Sequence, residues 1–398
     1  MKIHFNKITL IEYIAVVLLL FTSGTYPWYH KLTPGVACTI YLLFSIYYRI
    51  KHPIGPLIKK SFLYYIGAAV ILFLSFIYNG ELFDNQVFGF LFMGLGSYLI
   101  LSNIDFFSFR DKYLKIVTLI CIYALPIFLM TEYEISPFPL TFYPDYFSCM
   151  GVSIGWEGAF HRFAAFYHEP GACQIVLNMA LLLYFRELKE FSLSRQELLC
   201  LIVIVIALLY TESTGGYIVF MIIAICAFEK RLRSIWFIPI IMLLFVVCSA
   251  IINSEAVQNK LNPDDGNETV SVIMRTSDTI GLLQMTAERP IIGYGLGSVI
   301  HYNRSKQVGN VSNSNGLLYY TSSLGIIWFI LYVSFMIYGI RGLGYKGLTM
   351  VYILLVFLLL QSLEKFMEFP VSFILIFLLS RKNRFISISR KHSINYKF

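Results

Sequence analysis

The stretch KKSFLYYIGAAVILFLSFIYNG, residues 59–80, decides the fold. Behind two lysines it runs from Phe62 to Tyr78 without a single charged side chain. A helix rises about 1.5 Å per residue, so about 20 apolar residues cross the roughly 30 Å of hydrocarbon in a bilayer. Reading outward in both directions, similar runs recur near 8–24, 34–50, 58–78, 85–103, 112–131, 170–186, 194–211, 213–229, 234–252, 314–340, 347–363 and 366–380. The composition agrees. Of 398 residues, 58% are hydrophobic and only 14% charged, and the mean hydropathy is +0.70. A soluble chain of this length needs far more charge on its surface. The expected fold is therefore an all-α polytopic membrane protein of about twelve transmembrane helices, a single integral membrane domain over 1–398.

Lysines and arginines set the expected orientation, because cytoplasmic connections retain them. With the N-terminus inside, the cytoplasmic segments hold 23 of the 31 Lys and Arg, and the opposite side holds 8. Both termini are expected in the cytoplasm. The net charge of +8 follows from this bias and from the basic tail. The basic residues alternate with apolar spans rather than forming one patch, which argues against a nucleic-acid partner. In the first span Thr22-Ser23-Gly24 is followed by Tyr26, Pro27 and Trp28, with no clear small-x-small cleavage site before the next span, so it reads as a retained anchor. The seven cysteines are scattered singly, with no CxxC and no metal spacing.

Two connections are long, about 132–169 and about 253–313, and both fall outside. The first is rich in proline and aromatics. The second contains an amphipathic pattern over 269–289, with Val270, Ile273, Met274, Ile280, Leu283 and Met285 at helical spacing. Arg275 and Arg289 are fourteen residues apart, which returns to within about 40° of one helix face. They either line one side of a site or lie at the lipid interface as snorkelling heads. The spans themselves are nearly free of charge. Glu12 is the main exception, and a helix-start or snorkelling role suits it. Coupled transporters place ionisable groups near the bilayer midplane. Here the polar residues gather at outer helix ends, where the natural substrate is a lipid with a polar head.

Three motifs carry chemistry. His161-Arg162 is followed by His168-Glu169-Pro170-Gly171 at the start of a span. Pro170 suits a first helical turn, and an acid beside it suits the positive helix end. Alternatively, Arg162 forks onto phosphate oxygens, and Glu169 or His168 takes a proton from an attacking hydroxyl. Thr211-Glu212-Ser213-Thr214-Gly215-Gly216 is a tight turn between two spans. Glu288-Arg289-Pro290 leads into Gly293-Tyr294-Gly295-Leu296-Gly297, a GxGxG without the βαβ context of a dinucleotide site.

Taken in order, these residues resemble the bacterial O-antigen polymerase and ligase superfamily. The resemblance rests on Arg162 with His168-Glu169-Pro170, the turn 211–216, Arg275, Glu288-x-Pro290-x-x-Gly293-x-Gly295, and Ser314-Asn315-Gly316 opening a late span. It covers roughly 160–330 by motif and the whole chain by topology. It implies a GT-C-type glycosyltransferase of the inner membrane, working at the periplasmic face on oligosaccharides linked to undecaprenyl pyrophosphate. No cofactor and no metal are implied. Arg162, Arg275 and Arg289 are then the candidates for holding the pyrophosphate, with Arg275 also counted in the catalytic set. Glu169 or His168 is the candidate base, and Asn313, Asn315 and Tyr294 are candidates for contacting substrate. The resemblance also implies a chain-length regulator protein as a candidate partner.

Two departures bear on the reaction. The ligase branch carries a His before the Asn of the late span, where this chain has Ser314. The family turn often reads Thr-x-Ser-Arg-Gly, where this chain has Thr214. The first favours a repeat-unit polymerase over a ligase. A lipid-linked oligosaccharide flippase is the rival of a different class, and it should carry cations within its spans.

Overall fold

The computed structural model describes residues 7–25, 33–53, 59–80, 85–132, 135, 141–143, 146–156, 162–229, 269–310 and 313–378. Helices lie over ten of the twelve expected spans. They are α1 (Lys7–Phe21), α2 (Thr33–Lys51), α3 (Phe62–Asn79), α4 (Asn85–Leu101), α5 (Phe106–Glu132), α6 (Pro170–Leu183), α8 (Arg195–Tyr210), α9 (Thr214–Phe228), α12 (Gly316–Gly342) and α13 (Gly347–Leu363), with a short α7 (Phe185–Glu190) after α6. Three of them, α3, α5 and α12, are both long and apolar enough to cross a membrane, and α1, α4, α6, α9 and α13 are shorter apolar helices. The expected span 234–252 lies outside the described residues.

The last expected span differs. Its described part is a 3-10 turn, Pro370–Phe373, and one α-turn, α14 (Ile374–Phe377), rather than a continuous membrane-length helix. Pro370 fixes the start of the 3-10 turn, and the Phe366–Phe369 turn before it folds back onto the bundle. The whole segment is buried, with Phe373, Ile374, Ile376 and Phe377 at most 1% exposed. Its apolarity comes from packing in the core between α3, α4 and α12, not from facing lipid.

Large apolar side chains are both buried and exposed here, as a bundle in hydrocarbon requires. Trp328, Tyr332, Tyr64 and Phe377 fill the interior, with Trp328 stacked on Tyr332 at 5.2 Å. Leu43, Ile50, Leu119 and Ile330 are exposed on helix surfaces. At the starting end of α5, Arg110 is buried against Asp111, Glu187 and Glu197, with its guanidinium 4.3 Å from the Tyr184 ring. Beside it Lys112 pairs with Glu12 at 2.8 Å, which gives the lone intraspan acid of α1 its partner. A buried arginine is tolerable only when its donors are used this way.

The aromatic connection before α6 contains a small antiparallel meander, β1 (Thr141–Tyr143), β2 (Tyr146–Cys149) and β3 (Val152–Trp156). It is tied to the bundle where Tyr123 of α5 donates to the Met150 carbonyl (3.1 Å) and Ser153 N–H to the Ala165 carbonyl (2.7 Å). In the second long connection the expected amphipathic helix is present as α10 (Thr269–Glu288), followed by α11 (Val299–Gln307).

Candidate active site

Pro170 opens α6, and Glu169 is its N-cap in extended conformation, yet the Glu169 side chain makes no capping bond. It turns instead to His168, with Oε1 2.9 Å from Nε2. The other ring nitrogen, Nδ1, lies 2.8 Å from the Gly24 carbonyl at the end of α1. A carbonyl only accepts, so Nδ1 carries a proton, and the remaining nitrogen shares one proton with Glu169. The acid-at-a-helix-start reading therefore accounts for the position of Glu169 but not for its partner.

Arg162 stands beside this pair, and the turn 211–216 holds it. Its Nε donates to the Thr211 carbonyl (3.2 Å), and Phe163 N–H to the Tyr210 carbonyl (3.0 Å). Ser213 caps α9 through Gly216 N–H, which fixes the turn. The support comes from backbone carbonyls, so the residue at 214 does not enter it. Burial pulls Arg162 below its ordinary value, against Glu212, Tyr217, Glu364 and Glu169, but a guanidinium so displaced stays charged.

Arg275 reaches the same place from α10. Its Nη2 lies 3.3 Å from Glu364 Oε1 and its Nη1 3.4 Å from the Leu363 carbonyl, at the end of α13. Glu364 is the site residue that the sequence reading missed. Backbone geometry forces it in. A Cβ at Gly171, in the first turn of α6, would sit 2.3 Å from Glu364 Oε1, and one at Gly316, in the first turn of α12, would sit 2.0 Å from the Glu364 carbonyl. At Gly316 the neighbour is backbone, and only glycine admits such an approach. The adjacency Gly171, Gly316 and an acid ending an apolar span was the available signal, but it joins three distant segments.

The charges balance unevenly. Burial works against the Glu169 carboxylate, but His168, Arg275 and Arg162 outweigh it and hold the carboxyl below its usual range. Burial, and next the Glu169 charge, push Glu364 the other way, above the usual carboxylate range, against Arg275 and Arg162. Two acids between two arginines thus divide into one ionised and one that readily takes a proton.

The remaining candidates are engaged in other contacts. Arg289, just past α10, is about 21 Å along the helix axis from Arg275 at 1.5 Å per residue. It donates to Asn79 Oδ1 (2.6 Å) and sits 4.5 Å from the Tyr294 ring. The structure does not bring it to the pair of acids. Tyr294 donates to Glu288 Oε2 (2.5 Å), and Glu288 also accepts from Arg304 Nε (2.8 Å). Asn315 caps α12, accepting from Leu318 N–H at 3.2 Å, and Asn313 bonds with Asn310. These contacts are a helix cap and a loop brace.

The Arg304 and Tyr294 bonds pull the Glu288 carboxyl down to about 2. A depressed carboxyl contributes stability that is present above its unfolded value, about 4.3, and lost as pH falls through its folded value. Glu288→Gln should therefore lower the melting temperature by a steady margin from pH 7 to 5. The margin should narrow from about pH 4 downward. Parallel melts in detergent check it, and a margin that does not change down to pH 3 counts against the ion pair.

GxGxG also has a structural account. Tyr294 N–H and Gly295 N–H donate to the carbonyls of Ser322 and Ser323 (3.0 and 2.8 Å), and Ile326 N–H to that of Pro290 (2.6 Å). The loop after α10 is stitched into a break in α12 at Gly325.

These features define a helical membrane protein with a cationic and acidic site where α6, α10, α12 and α13 meet. Residues 199–333 match the Wzy_C family model, described as O-antigen ligase, and the match supports the likeness of this region to the O-antigen polymerase and ligase superfamily. The matched stretch takes in the turn 211–216, Arg275, the loop 288–298 and Asn315. Arg162, His168, Glu169 and Glu364 lie outside it. No curated protein and no solved structure gives a match.

Proposed function

We propose that the chain is a polysaccharide repeat-unit polymerase, of the O-antigen or capsule type, which moves a growing glycan from undecaprenyl pyrophosphate onto the next lipid-linked repeat unit. One observation carries this reading: Arg162 and Arg275, from segments more than a hundred residues apart, converge with Glu169 and His168 at the ends of apolar helices. In the reaction an acceptor hydroxyl attacks the donor's anomeric carbon. The bond from that carbon to the pyrophosphate oxygen breaks, and undecaprenyl pyrophosphate leaves with the electron pair. Arg162 and Arg275 offset the charge that grows on it. Glu169 takes the hydroxyl proton. His168, fixed by the Gly24 carbonyl, orients Glu169 and holds one of its oxygens. The site then faces the periplasm in an inner-membrane protein of about twelve spans with both termini inside, and a chain-length regulator is a candidate partner.

The family description favours a ligase as the second reading, and Ser314 in place of the ligase histidine favours the polymerase. A lipopolysaccharide and capsule gel from a strain lacking the gene, with and without complementation, separates them. The polymerase reading expects loss of the ladder with one repeat unit still on its acceptor. Loss of all attached glycan, with long polymer left on the lipid carrier, overturns it for a ligase. Single units trapped on the cytoplasmic side overturn it for a flippase.

A further inference from the structure

Arg275 is the most open of the site's cations. Its side chain is 52% exposed, while Glu364, its partner, is 18% exposed. The guanidinium is held from behind, by the Leu363 carbonyl and the Glu364 carboxylate at the end of α13. A phosphate arriving from the open side meets a cation already engaged by an anion. We propose that Glu364 is a positioning residue of the donor site: at alkaline pH it holds Arg275 as a carboxylate in the empty enzyme and gives it up to the pyrophosphate, taking a proton in exchange. This rests on the donor being a lipid pyrophosphate, as in the proposed function.

The groups around Glu364 make the exchange directional. From α10 comes Arg275. From the segment before α6 come Arg162 and Glu169, with His168 paired to Glu169 behind it. From α6 and α12 come the backbones of Gly171 and Gly316. Lys365, the next residue, turns away, with Nζ 4.1 Å from the Tyr319 ring. When phosphate oxygens take Arg275, Glu364 loses its hydrogen-bonded counter-charge and gains an anion nearby. Both changes raise its affinity for a proton. Its carboxyl already stands above the ordinary range in the empty site, so the uptake falls at mildly alkaline pH.

Linkage gives the sign. Below the empty-site value Glu364 is protonated in both states, and donor affinity does not depend on pH through this group. Above it each donor bound must bring in one proton, so the affinity falls about tenfold per pH unit until the bound-site value is passed. Removing the carboxylate removes both the competition and the slope.

The test measures binding of undecaprenyl-pyrophosphoryl N-acetylglucosamine to the full chain in nanodiscs from pH 6.5 to 9.5. The two charges of this probe are fixed over that range, so any slope belongs to the protein. The wild type should lose roughly tenfold in affinity per unit over the alkaline part of the range. Glu364→Gln should bind with a flat profile and at pH 9.5 should hold the probe at least tenfold more tightly than the wild type. A Gln variant with the wild-type slope overturns the proposal, as does one that is weaker at every pH. If that variant does not accumulate, calorimetry of the wild type at pH 9 in two buffers of different ionisation heat decides. Uptake of about one proton per probe supports the exchange, and none overturns it. A folded wild type that ignores the probe at every pH overturns this proposal together with the donor assignment. Proton-linked binding alongside an unchanged ladder in the deletion strain removes the polymerase reading alone.

Discussion

Arg275→Ala should reduce polymer formation by roughly a hundred- to a thousandfold, the usual effect of removing one group that stabilises transition-state charge. The side chain projects from α10 and is half exposed, so little packing is lost with it. Its ion pair with Glu364 contributes little to stability at such exposure. The variant should thus accumulate in the membrane at the wild-type level while the ladder collapses to single repeat units. Arg275→Lys should recover only part of the activity, because an ammonium supplies the charge without the planar fork. Immunoblots of membranes beside a glycan gel provide the check. A ladder of normal length from Arg275→Ala would remove this arginine from the site. Arg289→Ala makes a useful contrast, since Arg289 holds Asn79 and stacks near Tyr294, away from the two acids.

That contrast shows where sequence reading stops. Periodicity correctly placed a helix over α10 and put Arg275 and Arg289 on nearly one face. An angle says nothing of height, and about 21 Å of axis separates the two. Hydrophobic run length was the most legible signal, because a helix in lipid must satisfy its own backbone. It failed at 366–380, where a core-filling segment is as apolar as a lipid-facing one. The meander at 141–156 was hidden because interfacial aromatics and strand aromatics have the same composition. His168-Glu169-Pro170 was legible as a unit, since both the helix start and the acid–base pair are local. Glu364 was not. Beside Lys365 it reads as an interfacial charge pair, and its meaning arises only when α13 ends against α6, α10 and α12. Asn315 went the other way. Ser-Asn-Gly before an apolar run is a helix-start pattern as well as a candidate ligand, and the cap it forms on α12 is the part that the structure shows.

Gly325→Ala should be the most damaging methyl addition in the chain's described part. Gly325 interrupts α12 at φ 84° and ψ 172°, a conformation open essentially to glycine alone. An added Cβ would also lie 2.1 Å from the Ile291 carbonyl oxygen, and backbone cannot swing aside as a side chain can. Strain of about 1–3 kcal/mol from the dihedrals and about 1–3 kcal/mol from overpacking together reach roughly 2–6 kcal/mol. The contact it breaks is reciprocal. Gly293, at φ 73°, meets Ser322 and Ser323 just as Gly325 meets Ile291 and Ile292, and three backbone hydrogen bonds run across the junction. Separating the two strips moves the Arg289–Tyr294 corner off α12. The expected result is a sharp loss of folded protein in detergent, seen as a lower melting temperature and aggregation on size exclusion. Gly89→Ala is the matched control. Gly89 lies inside α4 with no atom within 4 Å of its added Cβ, so alanine there should be neutral or stabilising by up to about 1 kcal/mol. Equal melting of the two variants would mean that the break in α12 does not hold the loop, and the interlock of 290–295 with 322–326 would have to be abandoned as the reason for GxGxG.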